Sequence, residues 1–315
     1  MVRQLKWPPA RALATLVAAL LVLALAYWGI QGALVFRSEL GGTAPTPDNR
    51  DENSRQQAQA AAAATRVVTW QLADGSKQRA FYLAPRNGAV IVYAHGAPGA
   101  ASGLLPEALG LASHGYGALL VDLPGYGESE GPRDWGPSFQ LALRRAVDFA
   151  ETQPGVNPRR IGGFGYSMGG HAIAQAAAED PRIAALVLLA TPTTLLEAYR
   201  ARYRSRFPPG LMYFAVAADW VSGVPVSKID PSAALRAIGV RPVLVIAGAL
   251  DNAVPGAMTF ALTSTAANGQ MWLIDGIGHT GFAGKIGEPY FERMARFWDA
   301  ALANIATPEK RGQGQ

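Results

Sequence analysis

The segment GFGYSMGGHA, residues 163–172, holds a serine closely flanked by glycines. Residues 165–169 read Gly-Tyr-Ser-Met-Gly and match the G-x-S-x-G pattern, in which a serine nucleophile sits on a sharp turn between a strand and a helix. The run at 159–164 predicts the strand, and 168–180 predicts the helix. Because strand and helix approach closely at such a turn, the flanking residues must be small. The segment therefore predicts a nucleophilic Ser167; the alternative is a glycine-rich turn without chemistry.

Strand-like and helix-like segments alternate on both sides of this turn. Short apolar runs predict strands, longer amphipathic runs predict helices, and two strand-like runs around a turn near the start predict an antiparallel pair. Continuous apolar strands that alternate with helices are typical of a parallel sheet covered on both faces. We therefore predict an α/β fold with a mostly parallel central sheet. The predicted strands are 66–72, 79–85, 89–94, 117–125, 159–167, 184–190, 243–249 and 270–275, and the other predicted helices are 103–115, 139–153 and 289–302.

Residues 192–231 interrupt this alternation with about forty residues of mixed aromatic and basic character. We predict that they form a lid inserted between two strands of the sheet. One interpretation is a helical lid whose apolar face packs on the domain while its arginines face water. The other is an apolar acyl-chain groove beside a basic rim, which favours lipid-like or small amphiphilic esters.

A serine hydroxyl needs a base to take its proton, and the chain contains four histidines. His279 lies in a glycine-rich loop between the last predicted strand and the last helix, where α/β proteins gather their sites. His171 is predicted to pack beside the turn, and His114 to close a helix, where it interacts with the helix dipole. His95 follows a strand in a loop considered below. These positions make His279 the candidate base.

The candidate acid is Asp251, which directly follows the apolar strand 243–249. The chain order Ser167, Asp251, His279 is the order known for this strand, turn and helix arrangement. An N-cap or turn role for Asp251 is the alternative. Asp275 lies too close to His279 in the same loop to orient it, and Asp122 precedes the serine and is assigned a structural role.

Backbone N–H groups that stabilise an oxyanion are expected at two places. The first is Met168, at the start of the helix that follows the serine. The second is Ala97, in the His95-Gly96-Ala97-Pro98-Gly99 loop after strand 89–94, because the next residue, Pro98, has no N–H.

Five motifs in this order resemble the α/β-hydrolase superfamily from about Arg66 to Leu302. The chain is most similar to membrane-anchored serine hydrolases of the esterase, lipase and peptidase-like branch. This resemblance implies acyl-ester hydrolysis through an acyl-enzyme, without a cofactor. Peptidase or acyltransferase activity with the same residues, or an inactive tethered binding protein, are alternatives. The motifs are HG (95–96), DLPGYGES (122–129), GYSMG (165–169), GALDNAVP (248–255) and GIGHTGF (276–282).

The amino terminus predicts a membrane segment. Residues 12–30 form 19 uncharged, mostly apolar positions, close to the ~20 that a membrane-spanning helix needs. Arg3, Lys6 and Arg11 precede this run, so the positive-inside rule predicts a cytoplasmic amino terminus and an exported domain, periplasmic or extracellular. A cleaved signal peptide, and hence a secreted protein, is the alternative, because 24–26 reads Ala-Leu-Ala.

Composition limits the partners and the domain count. The 315 residues are half apolar and 16% charged, with a net charge of +5 and no cysteine. Scattered basic residues without aromatic interleaving predict no nucleic-acid partner, and the histidines do not cluster with acidic residues as metal ligands do. The predicted units are an anchor or signal peptide (1–36), a flexible linker (37–65) with a helix as the alternative for part of it, a hydrolase domain (66–305) and a disordered tail (306–315).

Overall fold

The computed structural model describes residues 10–40, 52–194, 197 and 229–303. The eight strands of its sheet are β1 (Arg66–Gln71), β2 (Lys77–Leu83), β3 (Val90–Ala94), β4 (Gly117–Val121), β5 (Ile161–Tyr166), β6 (Ile183–Leu189), β7 (Val243–Gly248) and β8 (Gly269–Ile274). The helices are α1 (Ala10–Leu40), α2 (Glu52–Ala64), α3 (Leu105–Ser113), α4 (Pro137–Glu151), α5 (Met168–Glu179), α6 (Pro231–Ala237), α7 (Gly256–Thr265), α8 (Phe282–Ile286) and α9 (Glu288–Ala303), and a 3-10 turn covers Ala101–Leu104.

The strands form one sheet in the order β1-β2-β4-β3-β5-β6-β7-β8. The pairs β1–β2 and β2–β4 are antiparallel, and every later pair is parallel. This arrangement confirms the predicted α/β fold class and the antiparallel pair at its start. The carboxyl ends of the parallel strands meet at one edge, where the loops after β3, β5, β7 and β8 lie together.

Apolar side chains fill a layer on each face of the sheet. On one face Phe139 of α4 and Ile173 of α5 pack against alternate residues of the strands. On the other face Leu111 of α3 and Trp298 of α9 are fully buried. Because consecutive strand residues point to opposite faces, a strand buried on both faces reads as an unbroken apolar run.

Three short helices that the sequence pattern does not predict lie in the second half of the domain. Helices α6, α7 and α8 have 7, 10 and 5 residues. In α7 only Thr259 and Leu262 are buried, so this helix carries no clear apolar stripe. Short helices with few buried positions leave little periodic signal to read.

Of the predicted linker, 37–65, the structure describes residues 37–40 and 52–65. Its last part is the helix α2, and residues 37–40 continue α1. Ala61 of α2 is fully buried in the apolar layer that also holds Leu104 and Phe282. The helix is rich in alanine and glutamine, so its attachment rests on one small face rather than on an apolar stripe.

Two other predicted segments lie mostly or wholly outside the described residues. Of the predicted lid, 192–231, the structure describes only residues 192–194, 197 and 229–231. The tail, 306–315, is not described at all.

Helix α1 is long and apolar enough to cross a membrane. Residues Arg11–Gln31 have a mean hydropathy of 2.3, and none of the most apolar stretch is buried in the protein. A helix of this length and composition near the amino terminus fits either a membrane anchor or a signal sequence.

Candidate active site

Ser167 occupies the turn between β5 and α5 in a backbone conformation that few non-glycine residues adopt. Its φ is 51° and its ψ is −114°. The serine N–H donates to the Leu189 carbonyl at 2.8 Å, and its own carbonyl accepts from the Gly170 N–H at 3.0 Å. These bonds hold a strained residue at the end of the central strand, as a nucleophile elbow requires.

Glycines at both ends of the elbow are required by close backbone approach. A Cβ added at Gly165 would lie 2.5 Å from the Gly169 carbonyl oxygen, and one added at Gly169 would overlap the Ala94 carbonyl of β3. Any larger residue would push α5 away from the sheet. The G-x-S-x-G spacing therefore has a direct steric cause in this fold.

His279 and Asp251 meet Ser167 at the carboxyl edge of the sheet. His279 Nε2 lies 3.2 Å from Ser167 Oγ, and His279 Nδ1 lies 2.7 Å from Asp251 Oδ2. The Asp251 side chain is fully buried, whereas that of His279 is 29% exposed. The structure thus brings together the three residues that the sequence analysis selected, from the loops after β5, β7 and β8.

The two carboxylate oxygens of Asp251 have different partners. Oδ1 accepts the N–H groups of Ala253 and Val254, each at 2.8 Å. This leaves Oδ2 to accept a hydrogen bond from the His279 Nδ1–H, and in that tautomer Nε2 faces the serine hydroxyl without a proton. Asp251 therefore stabilises the turn with one oxygen and contacts His279 with the other, so it has both of the roles that the sequence left open.

Tyr166 supports the histidine, and sequence reasoning missed it. Its hydroxyl donates to the His279 carbonyl at 3.1 Å, and the two rings lie 5.5 Å apart. Burial, with the nearby charges of Asp251 and Glu107, raises the pKa of the Tyr166 phenol. Tyr166 stands at the variable position of the G-x-S-x-G pattern, so the motif itself carries no signal for it.

The loop after β3 runs beside the serine. A Cβ added at Gly96 would lie 3.3 Å from Ser167 Cβ and 2.8 Å from the Tyr166 ring. Within the described residues the Ala97 N–H donates no backbone hydrogen bond. Met168 is the first residue of α5, so its N–H has no partner within the helix.

His95 holds the loop after β3 in place through hydrogen bonds of its ring. Its Nε2 accepts the Leu123 N–H at 3.1 Å, so the proton of the neutral ring sits on Nδ1, 3.0 Å from the Gly96 carbonyl. Burial lowers the pKa of His95 to about 4, so the ring is neutral at physiological pH. The role of His95 is to position the loop that contains Ala97.

The remaining histidines and acids lie apart from the serine hydroxyl. His171 is buried against the Pro192 carbonyl at 3.2 Å, consistent with its predicted packing role. His114 ends α3 and lies 2.9 Å from Glu288, while Asp122 pairs with Arg79 inside the domain. Asp275 is exposed. Among the residues described, no group of three or more metal-binding side chains could hold a metal ion.

Sequence comparison agrees with this architecture. The family described as "alpha/beta hydrolase fold" matches residues 89–219, which include Ser167 and end before Asp251 and His279. With its eight-stranded, mostly parallel sheet and flanking helices, the chain has the α/β-hydrolase fold.

Similar proteins include an uncharacterised protein, a thiohydrolase and an esterase. An uncharacterised protein of Mycobacterium tuberculosis is 33% identical over 175 residues, covering 54% of this chain and 56% of that protein. A thiohydrolase of Aspergillus aculeatus is 36% identical over 144 residues, covering 44% of this chain and 43% of its own. The matches thus span about half the length of these relatives. The solved structure of a Pyrococcus furiosus esterase has a TM-score of 0.65 at 20% identity, covering 82% of this chain and 98% of that one.

Proposed function

We propose that this protein is a serine hydrolase that cleaves carboxylic esters through an acyl-enzyme. The observation that carries the proposal is the continuous contact from Ser167 Oγ to His279 Nε2 at 3.2 Å and from His279 Nδ1 to Asp251 Oδ2 at 2.7 Å. This arrangement gives the serine a base and gives the base an orienting carboxylate.

In the first half-reaction Ser167 Oγ attacks the ester carbonyl carbon while its proton passes to His279 Nε2. The resulting imidazolium is stabilised by Asp251, which stays ionised. When the tetrahedral intermediate collapses, the C–O bond to the alcohol breaks and His279 returns the proton to the leaving oxygen. In the second half-reaction His279 takes a proton from water, whose oxygen attacks the acyl carbon. The bond from that carbon to Ser167 Oγ then breaks, His279 returns the proton to Oγ, and the carboxylic acid is released.

The negative charge on the former carbonyl oxygen needs donors that are already in place. We assign this role to the N–H groups of Ala97 and Met168. Support comes from the loop after β3, which runs beside Ser167 at Gly96, and from the position of Met168 at the start of α5. The positive end of the helix dipole favours a negative charge at the same point.

Replacing the nucleophile tests the proposal. We expect Ser167→Ala to lower kcat for p-nitrophenyl butyrate by at least about 10⁴-fold and to abolish labelling by a fluorophosphonate probe. Ser113→Ala, at an exposed serine at the end of α3, is the matched control. Retained turnover and labelling in Ser167→Ala, with a folded protein, would contradict the proposal.

Thioester hydrolysis is a second candidate, favoured by the thiohydrolase relative. The same steps apply, with a thiolate as the leaving group in place of an alkoxide. Matched butyryl oxoester and thioester substrates distinguish the two activities on one preparation. A kcat/KM that is higher for the thioester by more than the difference in their uncatalysed rates would favour a thiohydrolase.

We propose that α1 anchors the enzyme in a membrane, with the amino terminus cytoplasmic and the hydrolase domain exported. The uncharged length of α1 and the basic residues before it support this topology. A domain tethered in this way would meet amphiphilic or lipid-like esters at the bilayer surface.

A further inference from the structure

A cavity of about 470 Å³ lies beside the proposed active site. Its wall includes Gly96, Tyr166 and Thr280. Gly96 approaches Ser167, Tyr166 precedes the serine, and Thr280 follows the histidine, so residues next to Ser167 and His279 line the cavity. This volume is within the range of small-molecule sites in proteins.

The far wall of the cavity combines polar and apolar residues. Asn53 and Gln57 come from α2, and Leu104 and Phe282 come from the domain. Helix α2, predicted as a flexible linker, therefore closes a space next to the proposed catalytic residues. The apolar part of the wall suits a short hydrocarbon chain.

Glu107 brings to this cavity a carboxyl group that has no partner beyond its own backbone N–H. It is the third residue of α3, lines the cavity and is only 8% exposed. In the part of the chain that the structure describes, it accepts no hydrogen bond from another residue and makes no ion pair.

The groups that face Glu107 do not neutralise it. Electrostatic interactions connect it to the phenols of Tyr93 on β3, Tyr166 on β5 and Tyr290 on α9, and none of these carries a positive charge. His95 also lines the cavity, but both of its ring nitrogens have backbone partners. Burial raises the pKa of Glu107 to about 7, opposed only by its own backbone N–H.

A buried carboxyl group without a partner costs free energy, and a ligand cation removes that cost. We propose that this cavity binds a primary ammonium group of the substrate, with Glu107 as its carboxylate partner and the hydrocarbon stem along Leu104 and Phe282. The assignment of this ligand to the substrate rests on the proposed hydrolase function, whereas the binding itself does not. The positive end of the α3 dipole favours the ionised carboxylate that such a ligand needs.

Calorimetric titration of the full chain in neutral detergent at pH 8 tests the binding directly. We expect n-butylammonium to bind at least about tenfold more tightly than butan-1-ol, as one charge-assisted hydrogen bond allows. Glu107→Gln should remove this preference. Glu179→Gln, at an exposed glutamate paired with Arg144, is the matched control and should keep it.

Equal affinities for the ammonium and the alcohol in the unaltered protein would overturn the proposal, and so would an ammonium preference that survives in Glu107→Gln. If that variant fails to fold, the comparison in the unaltered protein decides alone.

A kinetic test connects the cavity to turnover. The ratio of kcat/KM for p-nitrophenyl 6-aminohexanoate to kcat/KM for p-nitrophenyl heptanoate should fall about tenfold in Glu107→Gln. If Ser167→Ala and its control both keep full catalytic activity, the proposed function is refuted. The calorimetric result is independent of that outcome.

Discussion

Asp251 shows how a single residue carries both a structural and a chemical contact. One oxygen accepts two backbone N–H groups and so fixes the carboxylate, while the other faces His279 Nδ1 at 2.7 Å. Because the first oxygen is held by the turn, the second cannot rotate away from the histidine. The geometry therefore determines which ring nitrogen keeps its proton.

We expect Asp251→Asn to lower kcat by about 10³- to 10⁴-fold. The asparagine amide can donate to Nδ1, which favours the tautomer with the proton on Nε2, and this tautomer cannot accept the proton of Ser167. Steady-state hydrolysis of p-nitrophenyl butyrate measures the effect. Asp275→Asn, at an exposed aspartate in the histidine loop, should retain the activity of the unaltered enzyme; an equal loss in both variants would argue against a specific role for Asp251.

His171 makes the stability of the fold sensitive to acid. Burial lowers its pKa to about 4, although the Pro192 carbonyl and Asp230 oppose the shift. Between the unfolded pKa of about 6.5 and the folded pKa, the unfolded chain binds the extra proton, so stability falls as pH falls. The contribution of this histidine is thus complete above pH 6.5 and is lost on acidification toward pH 4.

We therefore expect His171→Leu to lose less stability on acidification than the unaltered protein. The difference should be about 1.4 kcal/mol per pH unit between roughly pH 6 and 4.5, because one proton is involved. Urea unfolding at several pH values measures it. His95 and Glu107, which also have shifted pKa values, are present in both proteins, so their effects cancel. Parallel stability curves would contradict the prediction.

Among the helices, α2 is the one whose packing on the domain the sequence pattern does not predict. Its sequence is ENSRQQAQAAAAA, with no long apolar side chain. Alanine and glutamine are good helix formers, so the helix itself is reasonable. Its attachment depends on Ala61, where a small side chain lets the helix approach the 3-10 turn closely. Small-residue contacts of this kind produce no hydrophobic periodicity.

A larger side chain at this contact should push α2 away. We expect Ala61→Leu to lower the stability of the domain by about 1–3 kcal/mol through overpacking. Ala62→Leu, at the exposed neighbouring position, makes the same chemical change without filling the contact and should have little effect. Thermal unfolding of the two variants measures the difference. Equal midpoints would show that α2 does not pack on the domain in solution.

At the scale of the whole molecule, an apolar helix precedes a domain that contains both apolar layers. Among the side chains that the structure describes, the core residues run from Ala61 to Leu302 and none lies in α1. The most apolar stretch of α1 is unburied, so its side chains require an apolar environment outside the protein. The domain therefore buries its own apolar side chains, whereas those of α1 need apolar surroundings from outside the protein.

We expect the full chain to remain in the membrane pellet after washing at alkaline pH, and a chain that begins at Glu52 to be soluble. The mass of the protein recovered from cells distinguishes the two fates of α1, because cleavage after residues 24–26 would remove the amino-terminal segment. An intact mass in the pellet supports the anchor. A shortened protein in the soluble fraction would contradict it and indicate a signal peptide.

The eight strands, the helices α3, α4, α5 and α9, the steric need for Gly165 and Gly169, and the selection of Ser167, Asp251 and His279 all follow from the amino-acid sequence alone. This is possible because these features are local or depend on chain order: apolar periodicity follows burial, and a tight turn requires small residues.

How residues distant in the chain meet depends on the packing of the whole domain. The contact of Tyr166 with His279, the packing of α2 on the domain and the unpartnered carboxyl of Glu107 each join segments that no local pattern relates. Such contacts depend on side-chain direction and on which helix covers which strand. Burial and charge at a site are properties of the packed molecule, and therefore Glu107 reads in the sequence as an ordinary residue in the first turn of a helix.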